Sequence, residues 1–299
     1  MAAPAIFSAE ITKGLADQPR KDGYENHFGL HSQWEMRYFD DHFPQGRFEC
    51  EMDDLVVYGK IPESIEGTWY RVHPDSRVSQ LPDFPFVDGD GVVSAFRIIK
   101  GQVSMKVKYV ETERYLLERQ AGRKLFGRYR NPYDNHPCLR LANDSTANTN
   151  VLYWAGDILA LSERGLPYAV NPDTLETRTF DPYGGQVAAR TFTAHPKIDA
   201  FKNSLVTWST AAKGLRSNDV VTYSVNPDGR IENQFWFKQD GPGWTHDGWI
   251  TENWVILSKM PFKVNSDEDM KKPNADHWQF VPGQPQEFLV APRHPHTPR

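Results

Sequence analysis

Residues 167–180 read PYAVNPDTLETRTF, and residues 222–235 read TYSVNPDGRIENQF. Both follow x-Y-x-V-N-P-D, then, with one residue of drift, an apolar residue and a glutamate. An alternating apolar run, an Asn-Pro-Asp break and a second run are the signature of a strand, a turn and a strand. The two asparagines, Asn171 and Asn226, stand 55 residues apart. A second pair keeps nearly the same step. TAHPKID, Thr193 to Asp199, puts His195 ahead of an apolar strand expected over Leu205–Trp208. WTHDGWITENWVILSKM, Trp244 to Met260, puts His246, 51 residues on, at the mouth of a buried strand expected over Trp249–Leu257. A strand-rich unit recurring every 50 residues or so is what a β-propeller blade looks like in sequence.

Other hairpins agree with an all-β fold. Val92–Ile99 and Val103–Val110 flank a Lys100-Gly101 turn, and Val151–Trp154 and Ile158–Leu161 flank an Ala-Gly-Asp turn. Short strands are expected over Leu55–Lys60 and Thr68–Val72. The DGDG run, Asp88–Gly91, lacks the ligand spacing and closing glutamate of a calcium loop and reads as a tight turn. Glu111–Arg130 is the best helical stretch, broken at Gly122 and Gly127, and with residues to about 140 it is expected to cap the strands. Residues 1–50, rich in aromatics but weakly periodic, read as an arm, and 51–299 as one domain.

Composition narrows the function. The 299 residues are 39% hydrophobic and 24% charged, with a net charge of −5 and no block of like charge, which argues against a nucleic-acid partner. The two cysteines have no metal spacing and suit a reducing compartment. The N-terminus lacks a signal-peptide pattern and no apolar run is long enough to span a membrane, so a cytoplasmic location is expected, with room for peripheral membrane contact. Aromatic content is 13%, which fits a β-rich core or an apolar tunnel.

In a propeller the first strand of each blade lines the axis. Residues at matching phase before such strands therefore converge. His195 and His246 are either two imidazoles brought to one metal site or two structural turn histidines.

Five ordered motifs go further. GDGVVSAFRI (89–98), NTNVLYWAGDILALSE (148–163), PDTLET (172–177), TAHPKID (193–199) and HDGWITEN (246–253) together resemble the carotenoid cleavage oxygenase family, most of all its stilbene-cleaving and fungal branches. The likeness runs from about Ile61 to the C-terminus. It implies a seven-bladed propeller under an irregular, helical dome. It also implies an axial non-haem Fe(II) held by four histidines, and cleavage of an alkene with O₂ into two carbonyl products. By that resemblance His195 and His246 match the first two iron ligands. Glu163 matches a carboxylate that orients a ligating histidine, and Thr149 a residue crowding the open iron position. Tyr129 matches one half of a clamp for a substrate phenol. Ser162 stands where the stilbene-cleaving branch carries the other half, a lysine, and Phe86 falls among the substrate-contacting positions. Loss of the lysine should broaden selection, leaving phenolic stilbenes, phenylpropanoids and apolar polyenes open. The family's third and fourth histidines lie beyond the second. The candidates His277, His294 and His296 lack the strand context of the first pair, and the last two are expected to be tail residues. The chain is accordingly expected to be C-terminally truncated, about four of seven blades, and to bind iron weakly. An inactive fragment or a remnant that binds an apolar ligand is the alternative reading.

Overall fold

The structure is a computed structural model that describes residues 47–78, 86–139, 141–273 and 275–294, with the Phe86 side chain outside that description. These residues belong to one compact unit. The expected N-terminal arm falls largely on residues 1–46, outside the described residues. Its proposed boundary at residue 50 would cut a strand, because Cys50–Met52 forms β1 and pairs with Met105–Val107.

Each sheet is antiparallel, and its strands follow in chain order except where β1 closes on Gln102–Tyr109 and Glu287–Pro292 on Trp254–Met260. The first has the order β1-β4-β3-β2, from β2 (Gly67–Asp75), β3 (Asp90–Ile99) and β4 (Gln102–Tyr109). The second runs β5-β6-β7-β8 (Asn150–Trp154, Asp157–Leu161, Tyr168–Val170, Thr177–Phe180). The third has β9 (Lys197–Asp199), β10 (Ser204–Ser209), β11 (Asp219–Val225) and β12 (Ile231–Lys238) in sequence. The fourth joins β13 (Trp244–Ile250), β14 (Trp254–Met260) and β17 (Glu287–Pro292), with a separate ribbon of β15 (Phe262–Val264) and β16 (Trp278–Phe280). The first strands β2, β5, β9 and β13 are all sheet edges, as propeller blades require.

The repeated motif is the outer hairpin of a blade. In the second sheet Asn171 Oδ1 accepts from the Asp173 and Thr174 backbone N–H groups at 2.8 and 3.1 Å. In the third, Asn226 Oδ1 accepts from those of Asp228 and Arg230 at 3.0 and 2.9 Å. An asparagine side chain replaces the missing ladder partner and turns the chain, which is why the motif recurs at blade spacing. Two further hairpins, β3–β4 and β5–β6, turn on Lys100-Gly101 (φ 51° and 80°) and Ala155-Gly156 (φ 51° and 88°), left-handed pairs whose twist matches the strands.

The core lies between sheets. Val93 and Ala95 of the first sheet meet Ile158, Ala160 and Val170 of the second. Leu159 and Leu161 point the other way, into Leu205, Val221, Tyr223 and Val225 of the third. Val206, Trp208 and Val220 then meet Val255 and Leu257 of the fourth. A strand buried on both faces loses its polar alternation, so Ile158–Leu161 reads as an unbroken apolar run.

Five local expectations need correction. Leu55–Lys60 is irregular, held by one bond from Leu55 N–H to Val103 O at 2.7 Å. The helix covers only Glu113–Ala121 (α1): the Thr112 hydroxyl caps its first turn and Gly122, at φ 64°, ends it. Trp249–Leu257 is not one strand. Its polar Thr-Glu-Asn triplet is the turn between β13 and β14, closed by Thr251 N–H on Trp254 O at 2.9 Å. The three-residue β9 stands between His195 and the strand expected after it. Of the turn expected over Asp88–Gly91, only Asp88 and Gly89 lie in a turn, while Asp90 and Gly91 already pair in β3, where Gly91 is needed because a Cβ would sit 2.2 Å from Ala147 O.

Candidate metal centre

His195 is fixed from its own blade. The Thr193 N–H donates to Trp208 O at 2.9 Å, and the Thr193 hydroxyl accepts from His195 N–H at 3.0 Å. From the second blade, Asn150 Nδ2 donates to Ala194 O at 2.8 Å. His246 is aimed differently. It lies inside β13, not before it, at a bulge. Thr245 pairs with Lys259 and Gly248 with Leu257, so His246 and Asp247 together face Ser258. A bulge turns a side chain out of its regular alternation and is a common device beside functional sites.

The two rings meet edge to face, centroids 4.4 Å apart at 76°, with Nε2 to Nε2 at 3.0 Å. Glu163, two residues past β6, supplies the third group. Its Oε1 accepts a short hydrogen bond from His246 Nδ1. Its Oε2 accepts from Tyr129 Oη and Trp244 Nε1, each at 3.4 Å. With Nδ1–H committed to the carboxylate, neutral His246 presents the Nε2 lone pair to His195. The Glu163 bond raises the His246 pKa against the opposing effect of burial. Burial, reinforced by His246, lowers that of His195.

This donor set fits a cation. With metal–nitrogen bonds of about 2.1 Å, two ligands at right angles are separated by about 3.0 Å. The observed Nε2 separation has that value. Among the described residues, Glu163, His195 and His246 are the cluster of potential ligand groups, in which the two imidazoles face one point and Glu163 holds the far nitrogen of His246.

Beside the centre is a cavity of about 480 Å³, which Glu163 and His246 help to line. Tyr129, Trp244 and Trp278 give it aromatic walls, with Trp244 and Trp278 stacked at 6.4 Å and 16°. Thr149 lines it as well, its hydroxyl donating to Asn148 Oδ1 at 3.1 Å. Ser162 is buried in the wall, its Oγ accepting from the Thr146 hydroxyl at 3.3 Å. Burial pushes the Tyr129 phenol well above its ordinary range, so it stays a donor. Arg164, paired with Asp88 and Asp144, lies 4.6 Å over the Tyr129 ring.

Sequence reasoning thus brought Tyr129, Thr149, Ser162, Glu163, His195 and His246 to one place. Phe86 cannot be placed, because its side chain is outside the description. His277 departs from expectation: it directly precedes β16, is 1% exposed and lines the cavity, though it is outside the donor cluster. His294 Nε2 lies 2.9 Å from Lys202 Nζ, and His296 is outside the described residues. Trp244, Trp278 and Arg164 were not singled out as site residues. Trp244 sits two positions before His246, on the same face of its strand, which was a usable signal. No helix among the described residues is long and apolar enough to cross a membrane.

The family model described as "Retinal pigment epithelial membrane protein" matches residues 43–299. The chain is 50% identical over 253 residues to resveratrol cleavage oxygenase 1 of Botryotinia fuckeliana, covering 84% of this chain and 45% of that protein. The crystal structure of Pseudomonas brassicacearum lignostilbene dioxygenase superposes with a TM-score of 0.80 at 38% identity, covering 86% of this chain and 53% of that one. Cobalt-substituted Synechocystis apocarotenoid oxygenase superposes with a TM-score of 0.71 at 30% identity, covering 83% and 55%. The chain spans about half the length of the relatives it matches. With its edge strands, its paired histidines and this match over most of its length, the chain belongs to the retinal pigment epithelial membrane protein family, that of the carotenoid and stilbene cleavage oxygenases.

Proposed function

We propose that this chain supplies part of the iron site and much of the substrate cavity of a non-haem Fe(II) dioxygenase that cleaves an aryl alkene with O₂. The observation that carries the reading is the 3.0 Å convergence of His195 and His246 Nε2, from adjacent blades, with His246 on the wall of an aromatic cavity. In this reading His195 and His246 hold the ion, and Glu163 holds His246 in the ligating tautomer. Iron, when bound, supplies O₂ activation beside the alkene, which ends as two carbonyl compounds. The cobalt-substituted relative supports a divalent metal in a protein of this fold.

The chain's own side chains select the substrate. At about 480 Å³ the cavity lies within the roughly 300–1,000 Å³ usual for small-molecule sites. Tyr129, Trp244 and Trp278 offer faces to a flat, conjugated molecule. With its proton on Glu163, the neutral Tyr129 phenol leaves its oxygen to accept from a substrate hydroxyl. Ser162, turned onto Thr146, offers no charge to a phenolate. This favours neutral hydroxystilbenes and related phenylpropanoids and leaves Thr149 to narrow the approach of O₂. Resveratrol and lignostilbenes, named for two relatives, are the first compounds to try. Two free cysteines suit a cytoplasmic setting.

A second reading, binding without turnover, is favoured by the donor count: the described residues bring together two imidazoles, not four. The two are separated by supplying Fe(II), ¹⁸O₂ and 4-hydroxystilbene and analysing products by mass spectrometry. The first reading expects two labelled aldehydes, lost in His195→Ala and His246→Ala. Saturable stilbene binding without aldehydes would establish the second.

A further inference from the structure

The two histidines belong to different sheets, and the backbone anchors of each lie on its own side or, for His195, on the second blade. Something must hold the seam between β9 and β13 so that two nitrogens stay 3.0 Å apart. Without an ion the two nitrogens can share one proton as an N–H···N hydrogen bond, but a single bond between two side chains fixes neither their separation nor the angle that two ligands must present. The strand β9 shows what does this. It reads Lys-Ile-Asp, and alternation sends its first and third side chains to one face. Both reach the fourth sheet. Lys197 Nζ binds Asp247 Oδ1 at 2.7 Å, and Asp199 Oδ2 binds Arg293 Nη2 at 2.6 Å. The middle residue, Ile198, points away and is 54% exposed.

The first of these pairs sits at the metal centre. Lys197 is two residues after His195, and Asp247 is the other residue of the bulge that holds His246. Asp247 Oδ1 also accepts from Gly248 N–H at 2.7 Å, which fixes the carboxylate in the bulge. A Cβ at Gly248 would collide with Ile256 O and the Leu257 side chain and crowd Trp208, so the backbone of the bulge lies close on its neighbours.

We propose that Lys197 and Asp247 form a positioning clamp that sets the His195–His246 separation across the blade seam. This rests on the metal-centre reading above and deepens it: neither residue is a ligand, and the pair acts through the two histidines. A half-exposed ion pair contributes little to folding. Its effect here is on the geometry of two groups that must be prearranged to bind one ion, which is where a small restraint tells.

The rival explanation is charge alone. A lysine near a divalent cation repels it and an aspartate attracts it. The two explanations disagree in sign for one variant. Removing Lys197 weakens metal binding if the pair is a clamp and tightens it if the charge is what matters. Tightening would also follow if a freed Asp247 became a ligand.

The test is a titration of the full chain with Co(II), read by its visible absorption and by competition with a chromophoric chelator. The clamp predicts roughly threefold to tenfold weaker binding for both Lys197→Met and Asp247→Ala, no further loss in the double variant, and recovery in Lys197→Arg. The apo-protein melting temperature reports folding separately, and Lys197→Gln serves if Lys197→Met does not fold. Co(II) binding that is unchanged or tighter in Lys197→Met and Lys197→Gln, while lost in His195→Ala, overturns the clamp and leaves the metal centre standing. Absence of binding by the wild-type chain, or binding indifferent to His195→Ala, removes the metal centre and the clamp with it.

Discussion

His277 makes acid stability the most instructive perturbation of this chain. Its imidazole is 1% exposed, and neither ring nitrogen has a hydrogen-bond partner of normal geometry. Burial, with Arg130 and then Arg216 adding to it, pushes its pKa down to about 3. The unfolded chain's histidine titrates near its ordinary value, about 6.5. Between these values the unfolded state binds the extra proton, so stability is full above about pH 6.5 and falls as pH is lowered towards 3. Integrating the linkage gives a loss from this residue of about 2 kcal/mol at pH 5 and about 4 kcal/mol at pH 3. Because His277 lines the cavity beside Trp278, the same protonation should loosen that wall before global unfolding. The assay is urea unfolding at pH 8 and pH 5 for wild type and His277→Gln, with His277→Phe as a second replacement. All other titrating groups remain in both proteins. The wild type should therefore lose about 2 kcal/mol more than the variants between the two pH values. Equal losses would refute the reasoning, showing that His277 is either reachable by water or charged in the folded chain.

Two further outcomes follow from packing. Gly91→Ala puts a Cβ 2.2 Å from Ala147 O and crowds the bond from Gly91 N–H to Thr146 O, so it should cost roughly 3 kcal/mol or more by urea unfolding. Leu205→Ala, in a fully buried side chain between the second and third sheets, should cost about 3 kcal/mol and lower the melting temperature without altering Co(II) affinity beyond twofold.

What was legible in the sequence was whatever repeats or alternates. The Asn-Pro-Asp turns recur because one side-chain device closes equivalent hairpins, and the phase of His195 and His246 follows from the same blade spacing. Glu163 and Tyr129 came from motif resemblance, and the structure brings both to the histidines. Features set by tertiary contacts were illegible. β9 is three residues with two charges, and only its pairing with β10 and its ion pairs to the fourth sheet make it a strand. The bulge at His246 leaves no periodicity to read, so the stretch after it merged two strands across a polar turn. Leu55–Lys60 opens with four apolar residues in a row, enough to suggest a strand, but found no neighbouring strand beyond a single bond. Trp278 and His277 belong to a short ribbon whose register no local pattern announces.

The central claim is that two blades bring His195 and His246 to one ion, with Glu163 holding the second ring. Co(II) titration of the wild-type chain against His195→Ala, His246→Ala and Glu163→Gln tests it most directly. One cobalt per chain is expected. Binding should be lost in both alanine variants and weakened roughly 10- to 100-fold in Glu163→Gln, whose amide cannot hold the His246 Nδ1–H as a carboxylate does. Wild-type stoichiometry and affinity in all three variants would contradict the account.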